Sequence, residues 1–120
     1  MATASPRHPV TERLASHMLA SALIKRAGQA GGFAMILNKG DAVSGVILIQ
    51  CLGRGQKTGL FERVPDYEGG YRLLPCGPTN DSDPDAVNQY MARRLRSDPD
   101  LWLIELDIAD AERFAAETIC

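Results

Sequence analysis

The segment "ARRLRSDPDLWLIELD", residues 92–107, sets Arg93, Arg94 and Arg96 beside an Asp-Pro-Asp turn and the single tryptophan of the chain. Guanidinium forks crowded in this way could grip a phosphate or a carboxylate in bidentate fashion. The same residues also read as local architecture. Arginines in the last turn of a helix complement the negative end of its dipole by roughly 0.3–1 kcal/mol each. Pro99 then stops the helix and disfavours helical geometry at Asp98. Beyond it, Trp102, Ile104 and Leu106 fall on one face of a strand. This reading accounts for every residue of the segment without a ligand. Arg26 is the other cation with a chemical reading, because it shares a helical arc with Leu19 and Ala22. A guanidinium there pairs with a carboxylate of Asp41, Glu62, Glu105 or Asp107, snorkels to solvent, or binds an anion. An anion site would gather Arg26, Lys39, Arg93, Arg94 and Arg96.

"QCLGRGQKTG", residues 50–59, offers different chemistry. Gln50, Gly53 and Gly55 spell Q-x-x-G-x-G, which resembles the pyrophosphate loop of the N-acetyltransferases that take acetyl-CoA. That resemblance implies a loop leaving a strand and opening a helix, whose free N–H groups hold the pyrophosphate. A strand does precede the loop here, but "QKTGLFERV" reads as turn and strand, so a glycine-rich hairpin turn is the simpler reading. His8 and His17 have no sequence-local nucleophile or metal partner, and no triad or zinc spacing is present. Cys51 alternates into a strand and reads as buried and inert. Cys76, in a "PCGP" loop, has nothing nearby to depress its pKa.

The elements that would carry these residues follow from periodicity and turn signals. Residues 1–9 read as a flexible tail, with residues 10–120 as one domain. "TERLASHMLASALIKRAGQAGG" reads as a helix with Thr11 as N-cap, Glu12 in the first turn, Gly28 or Gly31 at its end, and Ala15, Met18, Leu19, Ala22 and Leu23 on its apolar arc. "FAMILN" and "GVILIQCL" read as strands joined in a hairpin by a longer loop, and "TGLFERV" and "YRLLP" as two more around a "PDYEGG" turn. Asp83 and Pro84 suit the N-cap and first position of a second helix reaching about Arg96, with Val87, Tyr90, Met91 and Leu95 facing the core. "LWLIELD" is a strand, and "ADAERFAAE" a short closing helix anchored by Phe114. The predicted fold is α+β in the order α-β-β-β-β-α-β-α, a mostly antiparallel sheet of about five strands with two main helices.

Alternation places apolar side chains on both faces of the first two strands, so both faces call for cover. Two main helices suggest cover on one face, with either terminal segments or a second subunit, as in a homodimer, on the other. The chain has 120 residues, 45% of them hydrophobic and 23% charged, with net charge −2, an ordinary globular balance that argues against generic nucleic-acid or anionic-membrane binding. Cys51, Cys76 and Cys120 make neither a disulfide framework nor a metal site. The opening "MATASPRHPV" lacks an apolar signal core, so the cytoplasm is the expected location.

"ALIKRAGQAGGFAMILNKGDAVSGVILIQ" and "YMARRLRSDPDLWLIELD" together resemble a small bacterial family catalogued as domain of unknown function 1491. The resemblance spans roughly residues 12–116 and is carried by the "ALIKRA" helix, the "KGD…G" connection and the "DPDLW" turn. It implies that Lys25, Arg26, Lys39, Gly40, Asp41, Gly45, Asp98, Pro99, Asp100 and Trp102 occupy recurrent positions. The family's first helix is expected to hold a tryptophan, where this chain has "HMLAS". No activity, cofactor or metal is implied. The expectation is a non-enzymatic binding or regulatory module that engages an unknown protein partner or a second copy. The alternatives are an acyl-CoA-binding or acetyltransferase-like protein and, more weakly, a phosphate or nucleic-acid binder.

Overall fold

Residues 47–52 are apolar except for Gln50, and all six are buried. A strand apolar on both faces is stable only between two covering layers, and this requirement organises the domain. The computed structural model describes residues 14–79 and 83–120. Its elements are α1 (Ser16–Gln29), β1 (Phe33–Asn38), β2 (Ile47–Gly53), β3 (Gln56–Pro65), β4 (Tyr71–Pro75), α2 (Pro84–Ser97), β5 (Trp102–Asp107) and α3 (Ala111–Ile119), the order expected from the sequence. The strands form one five-stranded sheet, β1-β5-β2-β3-β4. β5 runs antiparallel to β1 and parallel to β2, while β2–β3 and β3–β4 are antiparallel pairs.

The expected β1–β2 hairpin is therefore not formed: β5 lies between the two strands. The reason is burial. "LWLIEL" is almost as apolar on both faces as β2, and an interior place in the sheet is the one that covers it. The connection from Lys39 to Val46 is spent elsewhere, on the start of α1 and the indole of Trp102.

One face of β2 and β5, with Ile47, Ile49, Cys51, Trp102, Ile104 and Leu106, packs against Leu19, Leu23 and Ala27 of α1 and Ala111, Ala115 and Ile119 of α3. The opposite face, with Leu48, Leu60, Leu101 and Leu103, is covered by Tyr90, Met91 and Leu95 of α2. Helices thus lie on both sides, which corrects the expectation that the two main helices share one face and that terminal segments or a second subunit cover the other. Each CH₂ so buried stabilises the fold by about 0.8 kcal/mol.

The helix termini show which signals were local. Asp83 caps α2 by accepting from Asp85 N at 3.0 Å, with Pro84 at the first position. At the end of α1, Gly31 takes φ +90°, and Gly32 N–H reaches back to Ala27 O at 2.9 Å, closing the helix as a Schellman turn. The start of α1 differs from expectation. Thr11 and Glu12 lie outside the described residues, Leu14 and Ala15 are not helical, and the first turn begins at Ser16. Its free amides are satisfied by tertiary partners: Ser16 N donates to Val43 O and His17 N to Ala42 O. The buried stripe is Ser16, Leu19, Ala20, Leu23 and Ala27, leaving Met18 48% exposed. The small side chains of Ala20 and Ala27 let the helix settle on the sheet along that line. In α3 the buried residues are likewise Ala111, Ala115 and Ile119, with Phe114 only partly buried.

Candidate functional site

The residues of the "KGD…G" and "DPDLW" segments meet in space. Trp102, 2% exposed, donates its indole N–H to Asp41 O at 2.7 Å. Asp41 N donates to Asp100 O at 2.9 Å, Trp102 N to Val46 O at 2.7 Å, and Asn38 Nδ2 to Leu101 O at 2.7 Å. A Cβ at either Gly40 or Gly45 would collide with Asp100 O and the indole, so glycine lets these backbones touch. The Asp41 carboxylate accepts from Val43 N and Ser44 N. These backbone N–H groups, Ser44 foremost, hold its carboxyl below the usual carboxylate range. Ser16 Oγ ties the start of α1 into the same knot by donating to Gly45 O at 2.6 Å. Asp98 closes the turn, its carbonyl accepting from Leu101 N. The hydrogen bonds of this contact hold chain segments together.

The five cations expected to form an anion site are not gathered into one. Arg26 is exposed, and its guanidinium lies 5.7 Å from the centroid of the Phe114 ring, on the α1–α3 side of the sheet. The arginines of α2 lie on the opposite side. Arg94 NH1 donates to Glu62 Oε1 at 3.0 Å and to Tyr90 OH at 2.8 Å, and the Glu62 hydrogen bond is the main cause of its raised pKa. Arg93, Arg96 and Lys39 are exposed. Of the carboxylates considered for Arg26, Glu62 serves Arg94, Asp107 accepts from Gly55 N at 3.2 Å, and Asp41 serves its own loop.

Gln50, Gly53 and Gly55 form no pyrophosphate cradle. Arg54 and Gly55 both take positive φ, 54° and 79°, as a two-residue hairpin turn requires, and β3 begins at Gln56 without a helix. The Gly55 amide already serves the Asp107 carboxylate, which would repel a phosphate. Gln50 is fully buried and donates to Gly59 O at 3.0 Å, locking the hairpin from within.

Among the described residues, no group of three or more His, Cys, Asp or Glu is placed to hold a metal ion. His17 is exposed on α1, and His8 lies outside the described residues. Cys51 is buried as expected, and burial, helped by the Glu112 charge, pushes its thiol up to about 12. Burial also raises the thiol of Cys76, opposed by a hydrogen bond from Tyr90. A raised thiol pKa contributes stability that is fully present below the unfolded value of about 8.5 and is lost as pH climbs toward the folded one. Between pH 8 and pH 10 the protein should therefore lose about 1–2 kcal/mol of stability through Cys51. Urea titrations of wild type and Cys51→Ala at the two pH values check this. Parallel losses in the two proteins would refute it.

What remains is β1. Its alternating apolar residues are those of a covered strand, yet it lies at the sheet edge, with Phe33 52%, Met35 47%, Ile36 36% and Leu37 44% exposed. Ala34 and Ile36 share the face of their partners Leu106 and Ile104, whereas Phe33 and Met35 share that of Asp107 and Glu105. On this second face α2 packs over Leu48, Leu60, Leu101 and Leu103, and Phe33 and Met35 stay open beside it. Among the described residues, β1 carries four of the eight large hydrophobics that the fold leaves exposed. Its signal was legible, but the strand order that exposes it was not.

Comparison with known proteins adds a lineage. The family model described as "Protein of unknown function (DUF1491)" matches residues 14–116. A crystal structure of a DUF1491 family protein from Caulobacter crescentus CB15 is 31% identical, with 84% of this chain and 94% of that chain covered and a TM-score of 0.72. An NMR structure of a DUF1491 family protein from the same organism is 30% identical, covering 85% and 92% of the two chains, with a TM-score of 0.68. A solution structure of a protein from A. tumefaciens is 28% identical, covering 80% and 86%, with a TM-score of 0.62. No match is found among curated proteins.

Proposed function

We propose, for a chain that belongs to the DUF1491 family, a role as a non-enzymatic binding or regulatory module that engages another polypeptide through β1. The observation that carries this reading is the uncovered apolar set Phe33, Met35, Ile36 and Leu37 on an open sheet edge. Exposed apolar clusters of this kind mark contact surfaces, and an edge strand adds free backbone donors and acceptors for strand addition. The polar residues with chemical potential support it in the negative sense, since Asp41, Trp102 and Arg94 serve internal bonds, as does the Gln50 side-chain NH₂, while the buried Gln50 Oε1 has no partner. A cytoplasmic setting fits three unpaired cysteines. Among the described residues, no helix is long and apolar enough to cross a membrane.

Two measurements test the reading together. A thermal-shift panel of acetyl-CoA, CoA, nucleotides, polyphosphate and a short oligonucleotide is expected to be flat. A ligand present at about 100 times its Kd would stabilise the fold by roughly 2.7 kcal/mol and raise Tm by several degrees. Affinity capture from an extract of the source organism should return a polypeptide with wild type and lose it with Met35→Lys. A shift with CoA compounds alone, or capture indifferent to Met35→Lys, would overturn the proposal.

A further inference from the structure

Away from β1, a cavity of about 510 Å³ lies between the β2–β3 hairpin and the first turn of α3. Its floor is apolar: Leu52, Phe61 and Ala111 are buried and Ile108 is half-buried. The cavity exists because cover is thin here. α3 places its buried residues Ala111, Ala115 and Ile119 on the core that β2 and β5 share with α1. On the other side, β4 reaches β3 only as far as Phe61, opposite Pro75, so residues 56–60 run past its end. Gly59 adds room, since a Cβ there would meet the Phe61 ring at 2.8 Å and glycine lets the ring lean back along the strand. A volume of this size with an apolar lining suits a small molecule.

The charges of the lining favour one sign of ligand. Asp110 stands at the N-cap of α3, where an aspartate ordinarily accepts from the first-turn amides. It takes φ 52° and ψ 48° instead, makes no such bond, and lines the cavity. Glu112, one turn-position further on, lines it too, and neither carboxylate is ion-paired among the described residues. The cation of the lining, Arg113, is drawn along the helix by Glu117, with Nε to Oε2 at 3.3 Å. Two carboxylates above an apolar floor repel anions and attract a cation that carries apolar surface.

We infer that this cavity binds a small organic ammonium ion, an apolar body bearing one protonated amine. The body covers Leu52, Phe61 and Ile108, and the amine donates to the carboxylates of Asp110 and Glu112. The site is independent of the β1 surface. It also agrees with the flat response expected of acetyl-CoA and nucleotides, which are anions.

Amide correlation NMR on the isotope-labelled full chain tests this with three probes of like shape: phenethylamine, phenethyl alcohol and hydrocinnamate. Phenethylamine should shift the amides of Gly53, Phe61 and Ala111, with a Kd on the order of 1 mM for so small a ligand. Phenethyl alcohol, the same body without the charge, should bind about three- to tenfold more weakly, as exposed charge contacts allow, and hydrocinnamate more weakly still. Asp110→Asn combined with Glu112→Gln should bring the amine down to the affinity of the alcohol and leave the alcohol unchanged. Asparagine tolerates the left-handed backbone at position 110, so the unfolding temperature should stay close to that of wild type. Glu68→Gln removes the same kind of charge from the exposed β3–β4 turn and should bind the amine as wild type does. An alcohol that binds as tightly as the amine, or a double variant that keeps the amine's affinity, overturns the inference. So does a Glu68→Gln loss equal to that of the double variant, or an amine that shifts no amide around the cavity up to about 10 mM.

Discussion

Trp102→Ala is expected to be among the most damaging single substitutions in this protein, costing about 4–5 kcal/mol and lowering Tm by about 15 °C. The indole is 2% exposed, on the sheet face that α1 and α3 cover, and removing it leaves a cavity that its neighbours fill only in part. It also removes the donor to Asp41 O, one of the bonds that fasten the 39–46 connection to β5. Because Val43, Ala42 and Gly45 of that connection accept from Ser16 and His17, loosening it uncaps α1 as well. The companion Trp102→Phe helps separate the two contributions, since it keeps most of the apolar volume while losing the N–H and two ring carbons. It should cost about 1–2 kcal/mol. Equilibrium urea denaturation followed by circular dichroism reads both. If the two variants lose the same stability, the hydrogen bond rather than the packed volume holds the knot, and the cavity argument fails. With a total stability of about 5–15 kcal/mol expected for such a domain, Trp102→Ala sits near the limit of what the fold survives.

The fate of Trp102 also shows where sequence patterns reach and where they stop. Alternation assigned Trp102, Ile104 and Leu106 to one face, and they share it. Asp83–Pro84 marked the start of α2, and Arg54–Gly55 a tight turn, because caps and turns depend on residues close in sequence. The place of β5 between β1 and β2 was not legible, because a period of two tells which side chains share a face and nothing about which strand lies alongside. For the same reason the start of α1 was misplaced toward Thr11: its amides are satisfied by carbonyls more than two dozen residues away. The binding surface stands between these cases. The apolar residues of β1 were visible as a demand for cover on both faces, but the demand was thought to apply equally to β2. Only the strand order separates β2, which α1, α2 and α3 cover, from β1, which keeps an open edge.

Gly40→Ala is the second substitution expected to be severe, at about 3 kcal/mol or more, although it adds a single methyl group. The backbone at Gly40 does not need a positive φ, so the penalty is one of space. A Cβ there would overlap Asp100 O and the backbone carbon of Leu101. Neither atom is free to retreat, because Asp41 N holds Asp100 O at 2.9 Å and Leu101 N is bonded to Asp98 O. Gly28→Ala is the matching control. No atom lies within 4 Å of its Cβ position, and alanine should gain about 0.5–1 kcal/mol over glycine inside a helix. Opposite signs for the two variants in the same urea titration would show that close backbone docking, rather than glycine flexibility, governs the 39–46 connection. A loss below about 1 kcal/mol at Gly40 would mean that the connection can move away from β5, contrary to the geometry. The outcome bears on function. If Gly40, Asp41, Gly45, Asp98, Asp100 and Trp102 are held in place by the demands of this contact, folding accounts for their presence. The surface that does the protein's work is then to be sought on β1, where apolar side chains meet solvent with no folding reason to do so.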